Sequence, residues 1–251
     1  VIMMYVEGTD EDRRLFEVAR SATKKKPIVA FKAGRFGLSD KAAYSHTGSI
    51  AGKYEVYASA FKQAGILVAE SSTELLDMAK ALALCPLPKG NRVAVLSGQA
   101  GPGMIMSDIC EENGLVLAGF SPRTAERLDK LLAPLAMRAN PVDMGPAWYD
   151  SQKIREVIEL ALRDENIDGV LLYSAYASAN RHLLKEIANL LRSPHGKPII
   201  SCFPSPTGVW VEEKRELMQS GVVIYPTPER AAKAMVGLMK RASRQAQENL
   251  G

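Results

Sequence analysis

Short apolar runs alternate along this chain with segments whose apolar residues recur at close to helical spacing, and few folds satisfy that alternation. Strands that are apolar throughout are covered on both faces. When amphipathic helices separate them, the result is a parallel sheet wrapped by helices. "VIMMYV" (1–6) is the first such strand, expected to be buried, and "DEDRRLFEVARSATK" places Leu15, Phe16, Val18, Ala19 and Ala22 on a helix. Pro27 stops that helix and "IVAFKA" follows as the second strand. "YEVYASAFKQAG" is a helix closed by Gly65, "ILVA" a third strand, and "SSTELLDMAKALAL" a helix capped by Ser71 or Ser72.

"CPLPKGN" (85–91) interrupts this pattern with two prolines, a glycine and no helical period, and marks a domain boundary. Beyond it the alternation restarts with "RVAVLS", "LVLAGF", "GVLLYS", "KPIISCF" and "VVIYP" as strands. Helices are expected over about 101–113, 122–132, 150–163, 179–192 and 209–219, and from Pro228 onward. Five strand–helix units make a complete doubly wound domain, whereas the first region shows only three strands. The chain also opens on an apolar run with no initiator methionine, which reads as a strand cut from a longer polypeptide. The expected fold is α/β: two consecutive flavodoxin-like doubly wound parallel-sheet domains over 1–85 and 90–245. The first is expected to lack its N-terminal strand and helix.

Composition narrows the function. The 251 residues are 47% hydrophobic and 24% charged, with 32 basic against 28 acidic side chains. Lys24, Lys25 and Lys26 form the one dense basic run, which suits a solvated helix C-terminus. Aromatics are only 6%, and no basic stripe is interleaved with them, so no nucleic-acid partner is expected. Cys85, Cys110 and Cys202 lack metal-ligand spacing and read as reduced thiols. No apolar run approaches the roughly 20 residues that cross a bilayer, so no membrane association is expected and the cytoplasm is the expected location.

Two stretches could carry chemistry. In "RVAVLSGQAGPGMIMSD" a buried strand runs into Ser97, Gly98, Gln99, Ala100, Gly101, Pro102 and Gly103, where a helix starts. Free N–H groups and the helix dipole at such a start favour an anion such as phosphate. It is neither the P-loop nor the GxGxxG pattern, and a tight turn without ligand fits it too. The second stretch, "AAYSHTGSIAGKYEVY" (42–57), places His46 among Ser45, Thr47, Gly48 and Ser49. Spacing alone allows a surface loop histidine. It equally allows a nucleophilic imidazole amid hydroxyl and amide groups that can hold phosphate oxygens. Glu7 ends the first strand at its carboxyl end, where sites in such folds gather, though a lone carboxylate there also serves as a helix-cap partner. His182 and His195 read as structural or solvent-facing.

"KAAYSHTGSIAGKYEVYASAFKQAGILVAESSTELLDMAKAL", "VAVLSGQAGPGMIMSD" and "NPVDM" resemble the ADP-forming (NDP-forming) acyl-CoA synthetases, and "HTGSIAG" also resembles the loop of the succinyl-CoA synthetase α subunit. The resemblance covers essentially the whole chain in order. It implies an acid–thiol ligase that interconverts acyl-CoA, ADP and phosphate with acid, CoA and ATP through an acyl phosphate and a phosphohistidine. It implies that His46 is phosphorylated and Glu7 orients it. Thr47, Gly48 and Ser49 would hold phosphate oxygens, as would Gly98, Gln99, Ala100, Gly101 and Gly103. The implied partners are a small carboxylic acid and the CoA-binding and ATP-grasp domains or subunits, the latter holding nucleotide and magnesium; a homo-oligomer is also open. No metal ligand is expected in this chain, which alone is expected to be inactive. Two alternatives remain: succinyl-CoA synthetase proper, and a non-catalytic sensing module fused to a protein acetyltransferase. The role of Asn140 to Asp143 is left open.

Overall fold

The computed structural model describes residues 1–9, 11–35, 54–192 and 196–248. The chain divides into two units, Val1–Ala83 with Ser243–Gly251, and Leu84–Ala242. The first holds a three-stranded parallel sheet in sequence order, β1 (Ile2–Val6), β2 (Ile28–Lys32) and β3 (Leu67–Ala69). Helices α1 (Asp12–Ala22), α2 (Tyr54–Ala64) and α3 (Ser72–Leu84) follow the strands. Gly65 sits at φ +91° just past α2, the left-handed conformation that glycine adopts most readily. Ser71 starts α3, its hydroxyl accepting from the Glu74 N–H at 3.1 Å. The core joins Ile28 and Ala30 to Tyr57 and Phe61 of α2.

One expectation fails in β1. A strand of apolar residues was expected to be buried, but Ile2, Met3 and Tyr5 are 38%, 53% and 59% exposed. The reason is positional, since among the described residues β1 is an edge strand whose one ladder partner is β2.

The second unit has five parallel strands in the order β5-β4-β6-β7-β8. These are β4 (Val93–Ser97), β5 (Val142–Asp143), β6 (Gly169–Tyr173), β7 (Ile199–Cys202) and β8 (Val223–Tyr225). Renumbered within the unit this is 2-1-3-4-5, the flavodoxin-like order, whose ligands bind where the winding direction reverses. Here that point is the carboxyl end of β4, between β5 and β6. The helices are α4 (Ala100–Glu112), α5 (Pro122–Leu131), α6 (Ser151–Arg163), α7 (Leu183–Arg192), α8 (Val211–Gln219) and α9 (Pro228–Glu248). Val93, Ala94, Val95 and Leu96 have no exposed surface, as a central strand covered on both faces requires.

The second strand of this domain is not where the apolar pattern puts it. "LVLAGF" makes a single bridge, Val116 beside Arg92, and then leaves the sheet. The place beside β4 belongs to Asn140 and β5. The Asn140 side chain accepts from the Val95 N–H at 3.0 Å, and its amide donates to the carbonyls of Val93 at 2.7 Å and Ala118 at 2.9 Å. One side chain thus does the work of a strand along the edge of β4, and Val142–Asp143 takes over the ladder from there. This gives "NPVD" its structural role.

Asp164 ties two connections together at the start of α5. One carboxylate oxygen accepts from the Ser121 N–H at 2.9 Å and hydroxyl at 2.8 Å, and the other from the Asn166 N–H at 2.8 Å. Burial opposes its charge, but hydrogen bonds from Thr124, Asn166 and Ser121 outweigh that and hold Asp164 below the ordinary carboxylate range.

Candidate functional site

The residues with chemical potential stand at the carboxyl edges of the two sheets, and the edges are built differently. In the second unit the site is made of backbone. The N–H of Gly98 donates to the Tyr173 carbonyl at 3.1 Å and the N–H of Met144 to the Ser97 carbonyl at 2.8 Å, so the end of β4 is held from both sides. The Ser97 hydroxyl is spent locally, donating to the Gln99 carbonyl and accepting from the Gln99 N–H at 3.1 Å. Gln99 is extended, at φ −146° and ψ 141°, and its side chain does not cap α4. The N–H groups of exposed Ala100 and Gly101 make no hydrogen bond among the described residues. No acidic residue lies in this first turn. Two uncapped donors and the helix dipole therefore face outward at the switch point, an arrangement that takes an anion.

The glycines of this turn separate by role. A Cβ on Gly98 would stand 3.0 Å from the Cβ of Trp148, and one on Gly103 3.2 Å from that of Ser97. Both positions are tight, so that a side chain there would need Trp148 or Ser97 to give by a few tenths of an ångström. A Cβ on Gly101 meets nothing within 4 Å. None of the three has a positive φ. Neither packing nor backbone conformation requires glycine at 101, so the space above it is open for a ligand to approach the backbone. Met104 is 54% exposed on the same helix.

In the first unit the edge carries side chains. Glu7 is half-buried one residue past β1, next to the end of β2, where the Ala33 N–H donates to the Val6 carbonyl at 2.9 Å. Lys32, fully buried at the end of β2, donates from Nζ to the Ala33 carbonyl at 2.6 Å and lies 5.0 Å from the Tyr57 ring centroid. Arg35 follows, with its guanidinium over Tyr54. Sequence reasoning passed over Lys32 and Arg35. A lysine inside "IVAFKA" was the available signal, because a cation in an otherwise apolar strand needs a reason. His46, Thr47, Gly48 and Ser49 lie outside the described residues, as do Ser45 and His195. His182 is exposed, just before α7, and accepts from Nε of Arg181 at 2.9 Å.

Cys85, Cys110 and Cys202 form no disulfide. Burial pushes Cys110 and Cys202 up to about 12, which leaves neither thiol nucleophilic near neutrality. Among the described residues no group of His, Cys, Asp and Glu could hold a metal ion, and no helix is long and apolar enough to cross a membrane.

Residues 93–250, the whole of the flavodoxin-like sheet with its switch-point turn, match the family model described as the Ligase-CoA domain. The chain belongs to the Ligase-CoA domain family. Residues 1–82 match a second model of this group, the succinyl-CoA ligase-like flavodoxin domain. Among curated relatives, the alpha subunit of the ADP-forming acetate–CoA ligase II of Pyrococcus furiosus is 38% identical over 252 residues. That match covers 96% of this chain and 53% of the relative. The ADP-forming acetate–CoA ligase I of Archaeoglobus fulgidus is 34% identical, with 100% of this chain and 35% of the relative covered. Among solved structures, the dinucleotide-forming acetyl-coenzyme A synthetase 1 of Ca. Korarchaeum cryptofilum, in complex with phosphate and ADP, superposes with a TM-score of 0.87 at 31% identity. It covers 100% of this chain and 55% of that one. The Ligase-CoA chain thus spans about half the length of the first relative and about a third of the second.

Proposed function

We propose that this Ligase-CoA chain is the phosphohistidine-bearing part of an acid–thiol ligase, which interconverts acyl-CoA, ADP and phosphate with the acid, CoA and ATP. The observation that carries the reading is the uncapped α4 start at the switch point, with Gly101 open above it, in a chain whose relatives are ADP-forming CoA ligases. Under this reading the uncapped amides of Ala100 and Gly101, within the turn from Gly98 to Gly103, hold a phosphate group, while the N–H groups of Gly98 and Gln99 are already spent on Tyr173 and Ser97. The dipole contributes roughly 0.3–2 kcal/mol toward its negative charge. Glu7 accepts from one ring nitrogen of His46, fixing the tautomer and leaving the other nitrogen's lone pair to attack phosphorus. A P–O bond of the acyl phosphate breaks as the N–P bond forms, and the acid leaves as carboxylate. Thr47, Gly48 and Ser49 supply hydrogen bonds to the transferred group. The nucleotide accepts the phosphoryl group in one direction and supplies it in the other.

CoA and nucleotide, with its magnesium, are held by CoA-binding and ATP-grasp domains or subunits. The relatives are named ligases or synthetases, so this reading is retained over the sensing alternative. The test uses the full-length protein with its co-expressed subunits, incubated with γ-labelled ATP and magnesium. Label that is acid-labile and base-stable should appear, and His46→Ala should abolish both the label and acid- and CoA-dependent ADP formation. A His46→Ala enzyme with normal turnover would overturn the reading.

A further inference from the structure

Two fully buried hydroxyls in the second unit, those of Ser174 and Ser201, have no hydrogen-bond partner among the described residues. A buried polar group left in that state calls for a reason. Ser201 stands inside β7, level with Leu172. Ser174 is the first residue past β6, at the carboxyl edge beside the switch-point turn. The pairing runs on to it, since the Gly98 N–H donates to the Tyr173 carbonyl and the Ser174 N–H to the Cys202 carbonyl, both at 3.1 Å. Ser97 is level with Tyr173, so Gly98 and Ser174 are level too and face the same way. A Cβ on Gly98 would meet that of Trp148, so Ser174 lies on the face that Trp148 covers.

Trp148 is carried by a short 3-10 helix, Gly145–Tyr149, anchored on both sides. Before it, the Met144 N–H donates to the Ser97 carbonyl at 2.8 Å. After it, one carboxylate oxygen of Asp150 accepts from the Gln152 and Lys153 N–H groups at 3.0 and 3.2 Å and caps α6. Gly145 enters the short helix at φ +49°, a conformation that glycine adopts freely. The hold in the middle is weaker, with Nδ2 of buried Asn180 donating to the Trp148 carbonyl at 3.4 Å.

We propose that Ser174 is a substrate-contacting residue and that Gly145–Tyr149 is the lid over it. When the lid lifts, the Ser174 hydroxyl donates to an oxyanion bound at the switch point, a phosphate oxygen or the carboxylate of the acid. The inference rests on the acid–thiol ligase reading above and adds a side chain to its second-unit site. A hydroxyl left unpaired in the free protein costs stability, and a bond formed only with ligand recovers that cost on binding. Stability and substrate binding therefore respond to its removal with opposite signs.

The test uses the full-length protein with its subunits and measures Tm, kcat, the KM for acid and CoA, and the KM for phosphate in the reverse direction. Ser174→Ala should leave Tm unchanged or raise it. It should also raise the KM of one oxyanion by roughly 10- to 100-fold, the worth of a hydrogen bond to a charged group. A shift for phosphate assigns the contact to phosphate, and one for acid assigns it to the carboxylate. Ser201→Ala, two residues below the edge, should affect stability in the same way and leave every KM unchanged. The lid has its own readout. Lifting wets a buried indole, so saturating phosphate or acid should red-shift tryptophan emission, and Trp148→Phe should lose that component. If no such component exists, Ser174 stays covered and the proposal fails. Unchanged KM values in Ser174→Ala overturn it as well, and a fall in Tm in both serine variants would then assign the two hydroxyls to a buried water. A wild type without acid- and CoA-dependent ADP formation sinks the ligase reading and this inference with it. An active wild type with an unaffected Ser174→Ala sinks this inference alone.

Discussion

At the carboxyl edge of the first sheet stand side chains, Glu7, the buried Lys32 and Arg35; at that of the second stand the bare N–H groups of Ala100 and Gly101. The strands beneath differ in the same sense. β4 has no exposed residue from Val93 to Leu96, while β1 leaves Ile2, Met3 and Tyr5 open on an edge. A site made of backbone needs its strand end held rigidly from both sides, because amides aim only as well as the chain that carries them. A site made of side chains can sit on a thinner sheet, provided neighbouring residues hold each group.

That contrast breaks first, and by the largest margin, in stability. Leu96→Ala should cost about 2–5 kcal/mol in denaturant unfolding, as a fully buried leucine does. Tyr5→Ala, at 59% exposure, should cost under about 1.5 kcal/mol, the upper worth of its ring contact with Phe31 5.5 Å away. Equal losses would mean that the two sheets do not differ as described.

Asn140→Ala comes next. It orphans the Val95 N–H and the Val93 carbonyl at the edge of β4, at roughly 1–3 kcal/mol for each group left buried and unpaired. Native-state hydrogen exchange should show the loss first at the Val95 amide. An unchanged Val95 amide would refute the strand-substituting role given to this side chain.

Asp164→Asn should cost about 1.5–3 kcal/mol near neutral pH, the worth of hydrogen bonds to a charged group. Its folded pKa is depressed, so its contribution is complete above the unfolded value near 3.9 and is lost as pH falls through the lower folded value. The gap between wild type and variant should therefore close below about pH 4. A gap that widens on acidification would refute the sign.

The smallest effect is the most specific to the site. Gly101→Ala should leave stability unchanged or raise it by about 0.5–1 kcal/mol, since its Cβ meets nothing and alanine suits a helix better. It should nevertheless weaken phosphate protection measured by thermal shift. Gly98→Ala, crowding Trp148, should instead cost stability directly, about 1–3 kcal/mol. If Gly101→Ala binds phosphate as well as the wild type does, the open space above residue 101 is not an approach for the ligand.

The sequence by itself determined the class of fold and most element positions, because apolar periodicity and caps are local. Gly65 past α2, Ser71 before α3 and the helix starting beside Gly101 are all legible in a window of a few residues. It also marked Gly98 to Gly103 as a turn that opens a helix. Only the tertiary structure decided that "LVLAGF" is not a strand and "NPVD" is its replacement, because which segment pairs with β4 is a competition for one set of backbone groups. It alone showed that β1 lies on an edge, that Gly98 and Gly103 answer to packing while Gly101 does not, and that Arg35 reaches Tyr54 across 18 intervening residues. Such facts depend on which atoms meet after distant segments fold together, and no local pattern in the chain records them.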